Sequence, residues 1–420
     1  MWAEMLLGEY VRIEHGFAFK GEHFSEAGNY VILTPGNFHE AGGFRARPGK
    51  DRFYEARFPD RYLLSKGDLI VAMTEQGEGL LGSAALIPES FMYLHNQRLG
   101  LVKEKSQVTD RRFLYYLFNT DIVRQQIRNS SSGAKVRHTS PERIYGVKVR
   151  VPVKAVQQKI AAILSAYDEL IENNQRRIAL LEKMAGEIYR EWFVRMRFPG
   201  HEKVKKVKGV PEGWQRTKVV TLTSYLKRGV APQYDDLAEG FAINQKCIRD
   251  GKLDLSFARH QSRDVSADRQ IRFGDVLVNS TGEGTLGRVA QVLTQLSNCI
   301  VDSHVTIVRP KHNVPIHYFG MTLKAWEVHF STMGRGATNQ TELSPTVIGN
   351  IEVTMPSKPL QDVFESHAEP LFAQITYLTA QNERLTRMRN LLLPRLISGK
   401  LSVEHLDIQF PPGMEESACV

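Results

Sequence analysis

Gly67-Asp-Leu-Ile-Val-Ala-Met-Thr-Glu-Gln-Gly-Glu-Gly-Leu-Leu-Gly82 returns later in the chain as Gly274-Asp-Val-Leu-Val-Asn-Ser-Thr-Gly-Glu-Gly-Thr-Leu-Gly287. Ser140-Pro-Glu-Arg-Ile-Tyr-Gly-Val-Lys-Val-Arg-Val-Pro152 returns as Ser344-Pro-Thr-Val-Ile-Gly-Asn-Ile-Glu-Val-Thr-Met-Pro356. A helical heptad pattern follows each copy. The offset, roughly 205 residues, is too long for a solenoid unit. It implies two homologous domains, each followed by its own helix. Copies that share a frame and differ in detail suit a protein that reads two different things at a fixed separation.

The chain has 420 residues, enough for two or three domains with real cores. Its 42% hydrophobic and 24% charged content is ordinary for a soluble globular protein. Lys and Arg number 55 against 46 Asp and Glu, a net charge of +9 that favours an acidic partner such as nucleic acid. Cys247, Cys299 and Cys419 are scattered and odd in number, which speaks against a disulfide framework or a metal-binding spacing. The longest apolar runs are too short for a membrane helix, and the N-terminus lacks a signal-peptide pattern, so a cytoplasmic protein is expected.

The pattern divides into residues 1–152 (mixed), 153–198 (helical), 199–213 (a basic linker), 214–356 (mixed again), 357–402 (helical) and 403–420 (a loose tail). Strand-like runs lie at Tyr30–Thr34, Leu69–Met73 and Val147–Val151, and a helical pattern at Arg111–Arg128. In the first long helix Ile160, Leu164, Tyr167, Ile171, Asn174, Ile178, Leu181, Ala185, Ile188 and Trp192 follow one another at spacings of four and three. Phe364, Ala368, Leu371, Ile375, Leu378, Asn382, Leu385, Arg389 and Leu392 do the same in the second. That is the seam of helices packed along their length. Each seam carries one Asn, a residue that fixes register when it meets another polar group. Setting Asn174 opposite Asn382 in an antiparallel pair brings Leu164 to Leu392, Ile178 to Leu378 and Ala185 to Leu371. One layer is unlike the rest, Tyr167 with Arg389, where the ring is expected to cover the Arg stem. Pro370 is expected to start or kink the second helix, and Pro394 to end or bend it. Helices of about 25 to 40 residues run roughly 35 to 60 Å, against about 34 to 36 Å for a turn of duplex DNA. Such a coil acts as a spacer between two reading domains.

Gly77-Glu-Gly-Leu-Leu-Gly82 and Gly282-Glu-Gly-Thr-Leu-Gly287 match the dinucleotide fingerprint G-x-G-x-x-G. Strand-like Ser83–Ile87 and Arg288–Val292 follow them where a crossover helix would be needed, so each is read as a glycine-rich hairpin tip. Glycine lets such a tip approach another backbone closely. A polar loop precedes each Ser-Pro: Gly133-Ala-Lys-Val-Arg-His-Thr139 and Arg335-Gly-Ala-Thr-Asn-Gln-Thr341. Arg suits guanine edges, and Asn or Gln adenine edges, in the major groove. Ser140-Pro141 and Ser344-Pro345 read as helix starts, with Ser as N-cap and Pro at the first helical position. Signs of catalysis are missing: there is no Walker loop, no Asn- or Asp-Pro-Pro-Tyr element of an amino-methyltransferase and no zinc spacing. Asp302-Ser303-His304 places triad residue types side by side, but neighbours on a strand point to opposite faces.

Val151–Ser165, Asp168–Glu182 and Ile188-Tyr-Arg-Glu-Trp-Phe193 together resemble the central conserved region of type I restriction–modification specificity subunits. Leu391-Leu-Leu-Pro-Arg-Leu-Ile-Ser-Gly-Lys400 resembles their distal conserved region, and Pro211-Glu-Gly-Trp214 the opening of their second target-recognition domain. The resemblance covers nearly the whole chain. It implies an α+β fold: two homologous mixed α/β target-recognition domains separated by two long helices packed as an antiparallel coiled coil, with pseudo-two-fold symmetry.

The resemblance also implies a non-catalytic subunit. Each recognition domain would read one half of a split, asymmetric sequence in double-stranded DNA, and the coil would set the unread gap. The chain would bind no cofactor of its own. It would dock two methyltransferase subunits that use S-adenosylmethionine and endonuclease/translocase subunits that use ATP and Mg2+. By this resemblance the DNA-facing residues are Thr74, Gln76, Lys135, Arg137 and His138 in the first domain, and Thr281, Thr285, Arg288, Arg335, Thr338, Asn339 and Gln340 in the second. Lys135-Val-Arg137 departs from the family's amide-rich loop. Two other readings remain open on the residues, a recognition subunit of another multisubunit restriction system and a coiled-coil scaffold without DNA function. A self-sufficient DNA-modifying enzyme would need a methyl-donor fold and its catalytic element.

Overall fold

A computed structural model describes residues 2–75, 79–105, 107–134, 136–207, 209–334 and 341–411. The chain divides into two units: Met1–Glu172 with Glu383–Val420, and Asn173–Asn382. The division differs from that drawn on the sequence, because its boundaries fall inside the two long helices.

The first unit is built on an antiparallel sheet of four strands in the order Val11–His15, Leu99–Glu104, Leu69–Ala72, Ala84–Leu86. Leu69-Ile-Val-Ala72 is buried at every residue. Side chains alternate across a strand, so Leu69 and Val71 enter one core with the helices Arg111–Phe118 and Asp121–Asn129, while Ile70 and Ala72 enter another with Val31, Leu33 and Phe38. A sheet covered on both faces needs a continuous apolar run, which is why the strand reads as one. The expected helix Arg111–Arg128 is two helices: Thr120 ends the first turn pattern and caps the second, its hydroxyl accepting from Val123 N.

The second unit repeats this plan. Its sheet runs Thr223–Arg228, Val305–Pro310, Val276–Asn279, Val289–Gln291, the same strand order in the same sense. Val276 and Val278 face the helical core; Leu277 faces the other. Equivalent parallel pairings recur, Val31–Ile32 with Tyr93–Leu94 and Phe241–Ile243 with Cys299–Val301. A buried carboxylate sits at the head of the same strand in both copies. Asp68 takes Lys103 Nζ at 3.1 Å, and Asp275 takes Arg309 at 2.7 and 2.8 Å.

The long helices run Lys154–Tyr189, continued by a π-turn to Val194, and Lys358–Ile397. The second passes through both prolines, so Pro370 does not start it and Pro394 does not end it. Of the seam residues, Ile160, Leu164, Asn174, Ile178 and Ala185 are buried in the first helix, and Phe364, Ala368 and Leu378 in the second. In the second unit Asn174, 1% exposed, donates to Asn382 Oδ1 and Gln381 Oε1, both at 2.9 Å. In the first unit the odd layer resolves differently from expectation: Arg389 pairs with Asp168 at 2.5 Å, and Asp168 also accepts from Tyr116 Oη at 2.6 Å. A charged partner on the facing long helix, itself held by Tyr116 of the helix Arg111–Phe118, outweighs coverage by Tyr167, because a half-buried guanidinium needs its charge met.

Two further segments are more ordered than their composition suggests. In the linker, Lys206–Val207 pairs with Val210–Pro211, and Trp214 packs on Phe198 and Phe193 with ring centroids 5.3 and 5.9 Å apart. In the tail, Val403 is buried in the first unit's core and Lys159 Nζ donates to the carbonyls of Glu404 and Leu406. No helix among the described residues is long and apolar enough to cross a membrane.

Candidate nucleic-acid interface

Both glycine-rich stretches lead into strands, Ala84–Leu86 and Val289–Gln291. That arrangement is a hairpin and leaves no crossover helix to receive a pyrophosphate. The third glycine of each stretch sits at positive φ, 76° at Gly82 and 80° at Gly287. A Cβ on Gly287 would lie 2.6 Å from Ser331 N, so only glycine permits this approach to the following helix.

Backbone bonds bring hairpin and polar loop together in the same way in each unit. Thr139 N donates to Met73 O at 2.9 Å and Met73 N to Arg98 O at 3.0 Å; in the second unit Leu343 N donates to Ser280 O and Ser280 N to His304 O, both at 2.8 Å. Ser140 and Ser344 cap short helices as expected, accepting from Arg143 N and Val347 N, with Pro141 and Pro345 at the first position.

In the first unit the strand Thr74–Glu75 pairs with Arg137–His138, Thr74 opposite His138 and Glu75 opposite Arg137. Three of the five residues singled out there are thus side by side. Glu75 is buried, Thr74 and Arg137 half-buried, His138 exposed. Arg143, which the sequence reading missed, donates to His138 O and Ser132 Oγ and holds this ribbon. Gln76 and Lys135 lie outside the described residues.

In the second unit Thr281 Oγ1 lies 2.7 Å from His304 Nδ1, and the donor depends on the imidazole tautomer. Thr285 Oγ1 donates to the carbonyls of Thr281 and Gly282, and Arg288 Nη2 to Gly284 O at 2.8 Å. Both side chains therefore brace the hairpin from within. Arg335, Thr338, Asn339 and Gln340 lie outside the described residues. Just beyond them, Glu342 pairs with Arg228 at 3.0 Å, and this hydrogen bond holds its carboxyl below the ordinary range. His304 and Arg98 occupy equivalent places beside the hairpins. The only sequence signal for them was the alignment of Asn96-Gln-Arg98 with Asp302-Ser-His304, which carries almost no identity.

Asp302-Ser303-His304 is not a relay. Asp302 Oδ1 accepts from the backbone N–H of His304 at 2.8 Å, while the ring turns to Thr281. Burial raises the Asp302 carboxyl, and that N–H offsets part of the shift. Among the described residues no group of three or more His, Cys, Asp and Glu could hold a metal ion.

The two units thus present matched frames, each with its own polar side chains beside a glycine-rich hairpin: Thr74 and His138 in the first, Thr281 and His304 in the second. The chain matches, over residues 1–183, the family described as the type I restriction modification DNA specificity domain. It is 26% identical over 321 residues to the type I restriction enzyme MjaIX specificity subunit of Methanocaldococcus jannaschii, covering 70% of each chain. The MjaVIII specificity subunit of that organism is 18% identical over 362 residues, 82% of this chain and 81% of the relative. In fold the chain is similar to the crystal structure of a type I restriction–modification S subunit from M. genitalium. The TM-score is 0.63 at 15% identity, over 94% of this chain and 96% of the other.

Proposed function

We propose that this chain is a type I restriction–modification specificity subunit that binds double-stranded DNA at a bipartite, asymmetric target, each unit reading one half, and that it is itself non-catalytic. The observation that carries this reading is the repeated frame with unlike polar residues beside its hairpin: Thr74, His138 opposite it and Arg98 in one unit, Thr281 and His304 in the other. One frame with two sets of polar side chains is what two different half-sites require.

Lys and Arg of both units neutralise phosphates and supply salt-dependent affinity. The long helices serve as the spacer that sets the unread gap, with Asn174 and Asn382 holding their register. Two methyltransferase subunits dock on the subunit and flip adenine out of the duplex to reach its amino group, using S-adenosylmethionine. Endonuclease/translocase subunits join and use ATP and Mg2+. The assembly works in the cytoplasm.

The test is a methylome. The full chain is co-expressed with its partner methyltransferase in a methylation-free host, and N6-methyladenine is mapped by sequencing. A bipartite motif with a fixed gap that disappears when this chain is omitted is the expected result. Methylation that is indifferent to the chain, despite a soluble complex, would refute the reading.

A further inference from the structure

The first unit's hairpin is gripped by two side chains, one from a neighbouring helix and one from its own outgoing arm. Arg124, on the helix Asp121–Asn129, donates through Nη1 to Glu40 O at 2.6 Å, through Nε to Leu81 O at 3.3 Å and through Nη2 to Gly79 O. Glu75 is 4% exposed, and its Oε2 accepts from Leu80 N at 2.9 Å and Leu81 N at 2.8 Å. The returning arm of the hairpin is therefore held by its carbonyls from one side and by its N–H groups from the other. Glu75 belongs to the outgoing arm, so its inward anchoring turns Thr74 outward and fixes the ribbon against Arg137 and His138. Space is tight as well: a Cβ on Gly79 would meet Glu40 Cδ at 3.2 Å.

Among the described residues no guanidinium closes on the second hairpin in this way; its returning strand is held by Glu327, whose Oε2 accepts from Val289 N at 2.9 Å. There Gly282, at the place of Glu75, has no side chain to anchor, and the turn is braced by its own Thr285 and Arg288. The two hairpins thus share a path but are stiffened by different chemistry.

We propose that Arg124 and Glu75 are positioning residues that set specificity at the first unit's half of the target without touching DNA, an inference that rests on the reading of the chain as a two-part DNA reader. Three of the five N–H groups of the guanidinium are spent on carbonyls, so Arg124 works as a brace. Base-edge recognition depends on where Thr74, Arg137 and His138 sit to a fraction of an ångström, and the clamp supplies that placement.

The experiment uses the full chain with its methyltransferase, as wild type, R124M and R124K, selecting from a random duplex library and titrating salt. R124M is expected to lower discrimination at one half-site by about tenfold or more, the scale of one misread base pair. The other half-site stays unchanged, R124K restores part of the loss, and the slope of log K against log salt does not move. Unchanged discrimination, or loss at both halves, would overturn the proposal. So would a slope reduced by about 0.9, the mark of a lost phosphate contact. If R124M does not fold, E75Q replaces it: the acceptor remains, the negative charge beside Arg124 goes, and a smaller loss confined to the same half is expected. Amide exchange at Leu80 and Leu81 without DNA separates this inference from the function on which it rests. If wild type selects no bipartite sequence, the functional reading fails, while the clamp stands or falls on whether these amides exchange faster in the variants.

Discussion

Removing the guanidinium of Arg309 should be among the costliest single changes in the second unit. Asp275 is fully buried, and its two carboxylate oxygens accept from Arg309 Nε at 2.7 Å and Nη2 at 2.8 Å, with a further bond from Arg272 N at 2.8 Å. Arg309 also donates to Gln270 O at 2.7 Å and Asp268 O at 3.0 Å. R309M leaves a carboxylate in the core with one of three donors and strips two carbonyls of theirs. Breaking such a pair costs about 3–5 kcal/mol, because the penalty is the stranded charge more than the lost attraction. The equivalent pair in the first unit is the internal control. Lys103 meets Asp68 at 3.1 Å with side chains 38% and 12% exposed, so water can replace the ammonium and K103M should cost about 1 kcal/mol or less. The double variant D275L/R309M, which removes both charges, should recover most of the loss. Urea unfolding followed by tryptophan fluorescence reads this well, since Trp192, Trp214 and Trp326 lie in the second unit and Trp2 in the first. With m near 2–3 kcal/mol/M, R309M should lower the midpoint by about 1–2 M. Equal costs for R309M and K103M would refute the argument that burial decides the magnitude. A double variant no better than R309M would refute the stranded-charge account.

His95 is 1% exposed, donates from Nε2 to Leu99 O at 2.9 Å, and burial pushes its pKa down to about 4. The unfolded imidazole, near 6.5, binds protons more readily, so its contribution is constant above pH 6.5 and is lost as pH falls towards 4, about 3 kcal/mol in all. In H95Q, which keeps a donor, first-unit stability should fall less over that window; identical pH profiles would sink the claim. In the helix seam, N174L leaves two amide oxygens without their donor and should cost about 1–3 kcal/mol, whereas N174L/N382L should recover stability and lose register. Additive single and double variants in a double-mutant cycle would show that the two amides are uncoupled.

The repeat, the two long helices and their seam were legible in the sequence because each is a local periodicity. Leu69-Ile-Val-Ala72 and its echo are strands by composition and length, and the spacing from Ile160 to Trp192 is helical by count. The Asn pair could be matched by number because an antiparallel coil converts register into a constant sum. Prolines misled for a physical reason. Pro370 and Pro394 each remove one backbone donor, and the packing of Phe364, Ala368, Leu378 and Leu396 holds the helix regardless. The break at Thr120 was missed because apolar spacing continues across it.

The candidate site was legible only as two loops. That Thr74 lies opposite His138 depends on a ribbon pairing across more than sixty residues. That Thr285 and Arg288 each donate back to a carbonyl of their own hairpin, and that Arg124 closes on Gly79 and Leu81, depends on how the chain packs in space. The sequence by itself determined the duplication, the fold class and the register, since short-range periodicity and composition govern them. Tertiary structure alone decided which polar side chains are free to face a ligand and which are consumed as braces, because a hydrogen bond is settled by distance in space and leaves no spacing in the chain.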